Sequence, residues 1–386
     1  MSYINLDQSN LDHSSLNNNL LNNNLLDENL LDENLLDENL LDDKKGGFMY
    51  DMQIFNKVRQ LNDPEHVNDF HCDNIKYHPK VSDIPILSNE ESMENKMKLE
   101  KLLQNKSECA FHRPQDIGYC SPNEYINIIK NYLISKNKID NNITDNYQII
   151  EKAKQYTNCD SERCVYDKMG QIITRQTNMD LHTILLDVFK PEGPGHTFDL
   201  LTNYNIDEVL DQISKLYPDF LHIGFQMNDF IRVKSPLNTI DMVDVFNKYK
   251  KFGVVLNTDN SSGGGIHWYC IYGELIGELS NGVINIYYFN SVGGHTLKSA
   301  QNWICRTKHL LEREFKKQYP GFKGVNIHYE NNIAIQDDEH SCGVYTIVYI
   351  ICRLEGIPSN WLALKSNFND TIMHRARPAL FIKNYQ

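Results

Sequence analysis

Two runs of strand-forming residues, "IHWYCIYG" and "VINIYYFN", stand close together in the chain, separated only by "ELIGELSNG". Aromatic and β-branched residues suit the half-buried surface of a sheet, and so short a connector permits only an antiparallel return. An antiparallel hairpin turning near Glu278 to Gly282 is therefore expected, and any fold for this chain must be built around it. Counting back from the turn places His267 and Asn290 opposite one another at the open end. Cross-strand Cβ atoms there lie within about 4.5 to 5.5 Å. "FGVVLNT" and "FKGVNIHYE" supply further strands, and helical stretches follow at "LKSAQNWICRTKHLLEREFKKQ" and after Cys342. This predicts an α+β core.

Upstream of the strands the pattern changes. "NEYINIIKNYLISKNK" and "MDLHTILLDVFK" repeat apolar residues at three- and four-residue spacing, as amphipathic surface helices do. "FKPEGPGHTFDLLTNYNIDEVL" then interrupts with Pro and Gly and restarts a helix, with Asn205 as the expected N-cap. A boundary near Lys190 separates a mainly helical domain, residues 48–190, from the domain at 191–386. Residues 1–47 are a third region, in which "LLDEN" occurs three times in succession after looser "NLDQS", "NLDHS", "SLNNN" and "LLNNN" units. Five residues advance a helix by roughly 140° beyond a full turn, so the leucines form no stable stripe. The array reads as a disordered acidic tail, with a weakly self-associating helix as the alternative.

At 386 residues, 41% of them hydrophobic, the chain can bury a sizeable core as one large or two moderate domains. The net charge of −13 is largely a property of the tail, since ten acidic residues and no Lys or Arg precede Lys44. The remainder is near neutral, so no extended nucleic-acid surface is expected. Nine cysteines at irregular spacing argue against a disulfide framework and for a reducing compartment. No signal peptide is read at the N-terminus, and the longest apolar run, Val344 to Cys352, is too short to span a bilayer.

The chemistry centres on "AIQDDEHSCGVYTIVYIICRLEGI". Cys342 precedes an apolar helix whose N-terminus favours negative charge, and a neighbouring imidazolium would make such a thiol substantially thiolate. Asp337, Asp338 and Glu339 oppose this, and their side chains are expected to point into solvent. Gln336 could donate to a developing oxyanion beside the Cys342 N–H, and Asn290 could fix one tautomer of His267. Each residue also has a plainer reading. Cysteine is commonly an inert buried hydrophobe, a His beside Trp268 is commonly a core residue, and Asn290 before "SVGG" can simply begin a turn. The chain order His, Asn, Gln, Cys favours the chemical reading. "SSGGG" is expected to form a mobile rim, and it lacks the Lys-Ser/Thr pair of a phosphate loop. A rival class is a zinc-stapled, non-enzymatic binding protein using Cys109, His112, Cys120, Cys159 and Cys164, although these ligand pairs are irregular.

The motifs "HWYCIY", "YYFNSVGG" and Q-x5-C-G-x-Y resemble the cysteine proteases that include the SUMO proteases and the adenovirus protease. "NCDSERCV", "LLTNYNIDEVL", "FGVVLNTD", "YFNS" and "CGVY" narrow the likeness to the polyprotein-processing proteases of African swine fever virus and its relatives among large DNA viruses. It covers roughly Asn158 to the C-terminus. It implies a papain-like or adenain-like core, a central mixed sheet flanked by helices, with no cofactor or metal. Cys342 would be the nucleophile, His267 the general base and acid, Asn290 the His-orienting residue and Gln336 an oxyanion donor. SUMO proteases usually carry Asp where Asn290 stands. The resemblance further implies cleavage of a viral core polyprotein after Gly-Gly during virion maturation, by a monomer, in the host cytoplasm at the viral factory and in the virion. The alternative within the same chemistry is an isopeptidase removing SUMO or ubiquitin, whose tails also end in Gly-Gly. Trp268 is expected on the wall of a slot that only glycine can thread, with a core role as its alternative.

"KKGGF" joins the acidic tail to the rest of the chain, in a segment where proteolysis concentrates. The Gly-Gly pairs at 264–265 and 293–294 should be protected by the fold. Self-cleavage between Gly47 and Phe48 is therefore expected, against the plainer reading of a simple linker. N-terminal sequencing after equal incubation should find a new terminus at Phe48 in the active protein and not in Cys342→Ala. An intact tail in both, while a Gly-Gly substrate is fully cut, would exclude it.

Overall fold

The computed structural model describes residues 87–382, except 295, 331 and 332, together with the backbone of 76–77. The expected tail at 1–47, its Gly46–Gly47 pair and residues 48–75 lie outside the described residues. Six strands, β1 (Lys76–Tyr77), β2 (Phe220–His222), β3 (Lys251–Asn257), β4 (Trp268–Ile276), β5 (Val283–Phe289) and β6 (Val325–Glu330), form one mixed sheet. Their order is β1-β6-β5-β4-β3-β2. β3, β4 and β5 run antiparallel, whereas β2, β6 and β1 join by parallel pairing.

Five helices precede β2: α1 (Asn89–Leu103), α2 (Asn123–Ser135), α3 (Asn146–Thr157), α4 (Glu162–Thr177) and α5 (Leu181–Val188). A sixth, α6 (Asn203–Leu216), leads into β2. Beyond it are α7 (Met242–Lys248), α8 (Lys298–Gln318), α9 (Cys342–Leu354) and α10 (Asp370–Leu380), with single turns at Pro236–Thr239 and Ser359–Leu362.

Alternation along the strands sets the layers. Cys270 and Tyr272 of β4, Val255 of β3, and Tyr287 and Phe289 of β5 share a core with α9. Tyr269, Ile271, Val254, Leu256, Ile286 and Tyr288, the residues between them, pack on the opposite face with Trp303 and Ile304 of α8. The sheet is thus covered on both sides, which explains the near-continuous apolar runs of β3 and β4, while β6, nearer the edge, alternates with Asn326 and His328. The hairpin forms as expected: Ile276 pairs with Val283 and Cys270 with Phe289, with Gly277 and Gly282 inside the connection. Every residue of α9 is buried. A helix that is apolar all round must be surrounded, and α9 lies against β4, α6 and α10.

The helices before Lys190 divide between two cores. α2 to α5 bury Ile126, Ile129, Leu133, Ile150, Val165 and Ile173 in a cluster of their own, which Ile382 joins. α1 contributes Leu99 and Leu103 to the α9 core instead, and its Glu100 receives a bidentate pair from Arg375 of α10 at 2.9 and 2.6 Å. The chain at Lys190 is packed: its ammonium donates to the Asn105 carbonyl at 3.3 Å and only 1% of the residue is exposed.

Two sequence expectations need correction. The N-cap of α6 is Thr202, and Asn205 sits at the third helical position, where the two residues form a reciprocal capping box. A side chain at that position can reach back to the cap, which a search for the cap alone misses. The cysteines are also not a set of isolated thiols. Cys109 bonds to Cys120 and Cys159 to Cys164, and Cys305 is disulfide-bonded as well. Pairing depends on Cα separation, here 4.9 and 5.6 Å, and the fold decides that separation. Irregular spacing therefore carries no information about redox compartment in this chain. The four sulfurs weighed as zinc ligands are occupied by one another, and His112 faces Asp187 at 3.2 Å.

Arg353 of α9 is 6% exposed, reaches Glu274 of β4 at 2.5 Å and lies 4.2 Å from the Tyr287 ring centroid. Truncating one partner of a buried pair leaves the other charge uncompensated. Arg353→Ala should cost about 3 to 5 kcal/mol in denaturant unfolding, whereas Arg375→Ala, at the exposed Glu100 pair, should cost under about 1 kcal/mol.

Candidate active site

His267 is the residue just before β4, and Asn290 the one just after β5, so the hairpin register brings them together. His267 Nε2 lies 2.7 Å from Asn290 Oδ1. The orientation of the amide is fixed independently: its Nδ2 donates to the Gly293 carbonyl at 3.0 Å, and Val292 N–H donates to Oδ1 at 3.3 Å. Because Oδ1 only accepts, this network assigns the proton to Nε2 and leaves Nδ1 as the basic nitrogen.

Cys342 is the first residue of α9 and 4% exposed. α9 packs on β4, and Leu201 links the two, its carbonyl accepting Trp268 Nε1 at 3.1 Å and its side chain lying against Gly343. Trp268 directly follows His267, so the helix that carries the thiol packs on the strand whose start carries the imidazole. As a first helical residue, Cys342 has an N–H with no intrahelical acceptor. Gly343 lets Leu201 approach: an added Cβ would come within 3.0 Å of the Leu201 side chain.

Gln336 is held at the other side. Its Oε1 accepts from Ser291 Oγ at 2.6 Å, and its Nε2 donates to the Asp338 carbonyl at 2.7 Å. Ser291 is the neighbour of Asn290, so His267, Asn290 and Gln336 gather at the open end of one hairpin, and Cys342 starts the helix that packs on its strand β4. Trp268 lies in the core: it is 9% exposed, its Nε1 donates to the Leu201 carbonyl at 3.1 Å, and its ring meets Phe225 edge-on. The "SSGGG" rim is exposed but tethered, since Asn257 Oδ1 accepts from Ile266 N–H at 3.0 Å and Asp229 Oδ2 from Ser261 Oγ at 2.6 Å. Gly264 and Gly265 are exposed, so, contrary to the sequence expectation, burial does not shield that pair, and tethers of that kind are what hold the segment.

Electrostatics differ from the sequence expectation. Asp337 and Glu339 face solvent, but Asp338 turns inward and closes the start of α9. It accepts from His340 N–H, Ser341 N–H, Ser341 Oγ and His374 Nε2 at 2.7 to 3.0 Å. Partial burial pushes its carboxyl up, but the bonds from Ser341, His340 and His374 outweigh this and hold it at about 2. Burial pushes the Cys342 thiol above its ordinary value, opposed by the Trp268 and Gly343 N–H groups and reinforced by the Asp338 charge. Burial likewise lowers His267, against the Asn290 hydrogen bond. Both shifts favour the neutral thiol and neutral imidazole in the free protein.

Sequence reasoning missed Ser291 and misplaced Asp338. An Asp three residues before Ser341 is a local turn-and-cap signal that could have located the second. Nothing local signals the first, because its partner lies 45 residues downstream.

A thiol at the start of a buried helix, packed on the strand whose start carries an imidazole–amide pair, is the residue set of a cysteine protease. Residues 228–386 match the family described as Ulp1 protease family, C-terminal catalytic domain. A cysteine protease of African swine fever virus is 33% identical over 298 residues, covering 73% of this chain and 98% of that protein. A thiol-protease relative from Acanthamoeba polyphaga mimivirus is 26% identical over 222 residues, 55% of this chain and 68% of its own. The crystal structure of the African swine fever virus protease superposes with a TM-score of 0.56 at 28% identity, over 74% of this chain and 99% of that one. The chain belongs to the Ulp1-type cysteine proteases and shares their mixed-sheet fold.

Since burial raises the thiol and lowers the imidazole from their ordinary values, alkylation of Cys342 by iodoacetamide in the free protein should be slow at neutral pH. It should climb as the thiolate forms on the alkaline side. A rate already at its plateau below pH of about 6 would indicate a preformed thiolate–imidazolium pair instead.

Proposed function

We propose that this protease cleaves core polyprotein precursors of a large DNA virus after Gly-Gly, with Cys342 as nucleophile. The observation that carries the reading is the His267–Asn290 pair at 2.7 Å at the start of the strand on which the helix of the buried Cys342 packs. In the reaction His267 Nδ1 takes the thiol proton as Sγ attacks the scissile carbonyl. The oxyanion that forms is met by the Cys342 N–H and the Gln336 amide. His267 then returns the proton to the leaving amine, and water, activated by the same nitrogen, hydrolyses the thioester. Asn290 keeps Nε2 protonated throughout, so that Nδ1 remains the base.

Enclosure supports the Gly-Gly preference. With Cys342 4% exposed, and Leu201 packed against Gly343 and bonded to the Trp268 indole, the strand entering the site has little room for side chains next to the scissile bond. Such polyproteins would be met in the viral factory of the host cytoplasm and in the virion. Removal of a Gly-Gly-ended modifier uses the same four residues, and membership of the Ulp1-type family makes it the second reading.

Purified protein should be offered a Gly-Gly-X core polyprotein fragment and SUMO or ubiquitin fusions side by side. Faster cleavage of the polyprotein fragment is expected, and preference for the fusions would favour the second reading. Cys342→Ala should abolish cleavage and His267→Ala nearly so, because nucleophile and base act as a unit. Gln336→Ala should lose about a hundredfold to a thousandfold in kcat. Asn290→Asp should stay active, and Asn290→Ala should be impaired less than His267→Ala. Wild-type turnover by Cys342→Ala would overturn the assignment.

A further inference from the structure

Ser291 holds the Ile335–Gln336 segment with three hydrogen bonds, two of them to Gln336 itself. Its carbonyl accepts the backbone N–H of Ile335 at 2.9 Å and of Gln336 at 3.0 Å, and its hydroxyl donates to Gln336 Oε1 at 2.6 Å. It is 1% exposed, and Gln336 is 7% exposed. The preceding residue, Asn290, makes the matching contact to His267. Two adjacent residues at the end of β5 therefore hold the two functional side chains that flank the thiol.

The hydroxyl matters because an amide has two distinguishable ends. A side-chain amide nitrogen carries two hydrogens. One goes to the Asp338 carbonyl at 2.7 Å, and the other meets Asp338 Oδ1 only at 3.4 Å, long enough to be exchanged for a developing oxyanion. That is possible while Oε1 is anchored on the far side. Without the hydroxyl, Oε1 is buried with no donor, and the amide gains by rotating away to find one.

We propose that Ser291 is a positioning residue that aims the Gln336 amide at the oxyanion. The assignment rests on the role given above to Gln336. It separates the functions of two neighbours: Asn290 governs the protonation of the base, and Ser291 the geometry of the oxyanion donor. Loss of Ser291 should therefore slow the chemical step without disturbing the titration of His267.

The test is a double-mutant cycle on a Gly-Gly-X peptide, with Ser291→Ala, Gln336→Ala and the double variant. Ser291→Ala should lower kcat about tenfold, the worth of one neutral hydrogen bond. KM should change by less than about twofold, as for an interaction realised only in the transition state. In the Gln336→Ala background it should cost nothing further, because the group it aims is gone. The pH profile of kcat/KM should keep its wild-type shape, and Ser291→Thr, which retains the hydroxyl, should recover part of the rate. If Ser291→Ala does not fold by circular dichroism, Ser291→Cys, a weak donor of similar shape, is carried through the same cycle. An equal loss in both backgrounds, or a shifted pH profile, overturns the proposal while leaving Gln336 in its role. Wild-type kcat in Gln336→Ala would overturn both.

Discussion

The antiparallel register of β4 on β5 governs where each functional group can stand. Side chains alternate with a period of two, so a slip of one residue would carry Cys270 and Tyr272 from the α9 face to the α8 face and bring Tyr269 and Ile271 the other way. With both faces dry, neither exchange can be tolerated without repacking two cores. The same register fixes the open end, with His267 entering on one strand and Asn290 and Ser291 leaving on the other. Trp268, the first residue beyond His267, bonds through its indole to the Leu201 carbonyl, and Leu201 also lies against Gly343. The hairpin supplies the base, its orienting amide and the anchor of the oxyanion donor.

The thiol comes from the other layer. α9 is buried along its whole length, so its N-terminus cannot move relative to β4 without opening the core. Asp338 closes that N-terminus with several hydrogen bonds, and Asp370 Oδ2 in turn accepts the backbone N–H groups of Asp337 at 3.0 Å and Asp338 at 3.1 Å. Tyr345, on α9 itself, donates to Asp370 Oδ1 at 2.8 Å and to the Ile335 carbonyl at 3.1 Å. The segment from Gln336 to Cys342 is thereby pinned between α9 and α10. Rigidity here comes with an anion close to the sulfur, which disfavours the resting thiolate; the proton then leaves when His267 accepts it during attack.

Much of this was legible in the chain itself. The strands, the turn at Glu278 to Gly282, the pairing of His267 with Asn290 and the helix start at Cys342 all follow from local patterns, because alternation, turn residues and helix termini are short-range signals. What escaped were contacts between distant segments: Ser291 with Gln336, Trp268 with Leu201, Cys109 with Cys120. The inward turn of Asp338 escaped for a different reason. Three consecutive acidic residues look like a solvated run, and only the position of the helix start shows that the middle one is a cap. Trp268 shows the same limit, since its neighbour His267 gave it a functional context while the Leu201 carbonyl, 67 residues away, decided where its indole points.

The account's central claim is that Cys342 reacts under the control of His267, whereas the other described free thiols, Cys270 and Cys352, are inert in the core. A peptide ending in Gly-Gly with an electrophilic vinyl sulfone in place of the scissile carbonyl tests it most directly. Mass mapping after incubation should place a thioether on Cys342 alone, and His267→Ala should lose the labelling while melting at the wild-type temperature. An adduct on another cysteine, or labelling of Cys342 at the same rate without His267, would contradict it.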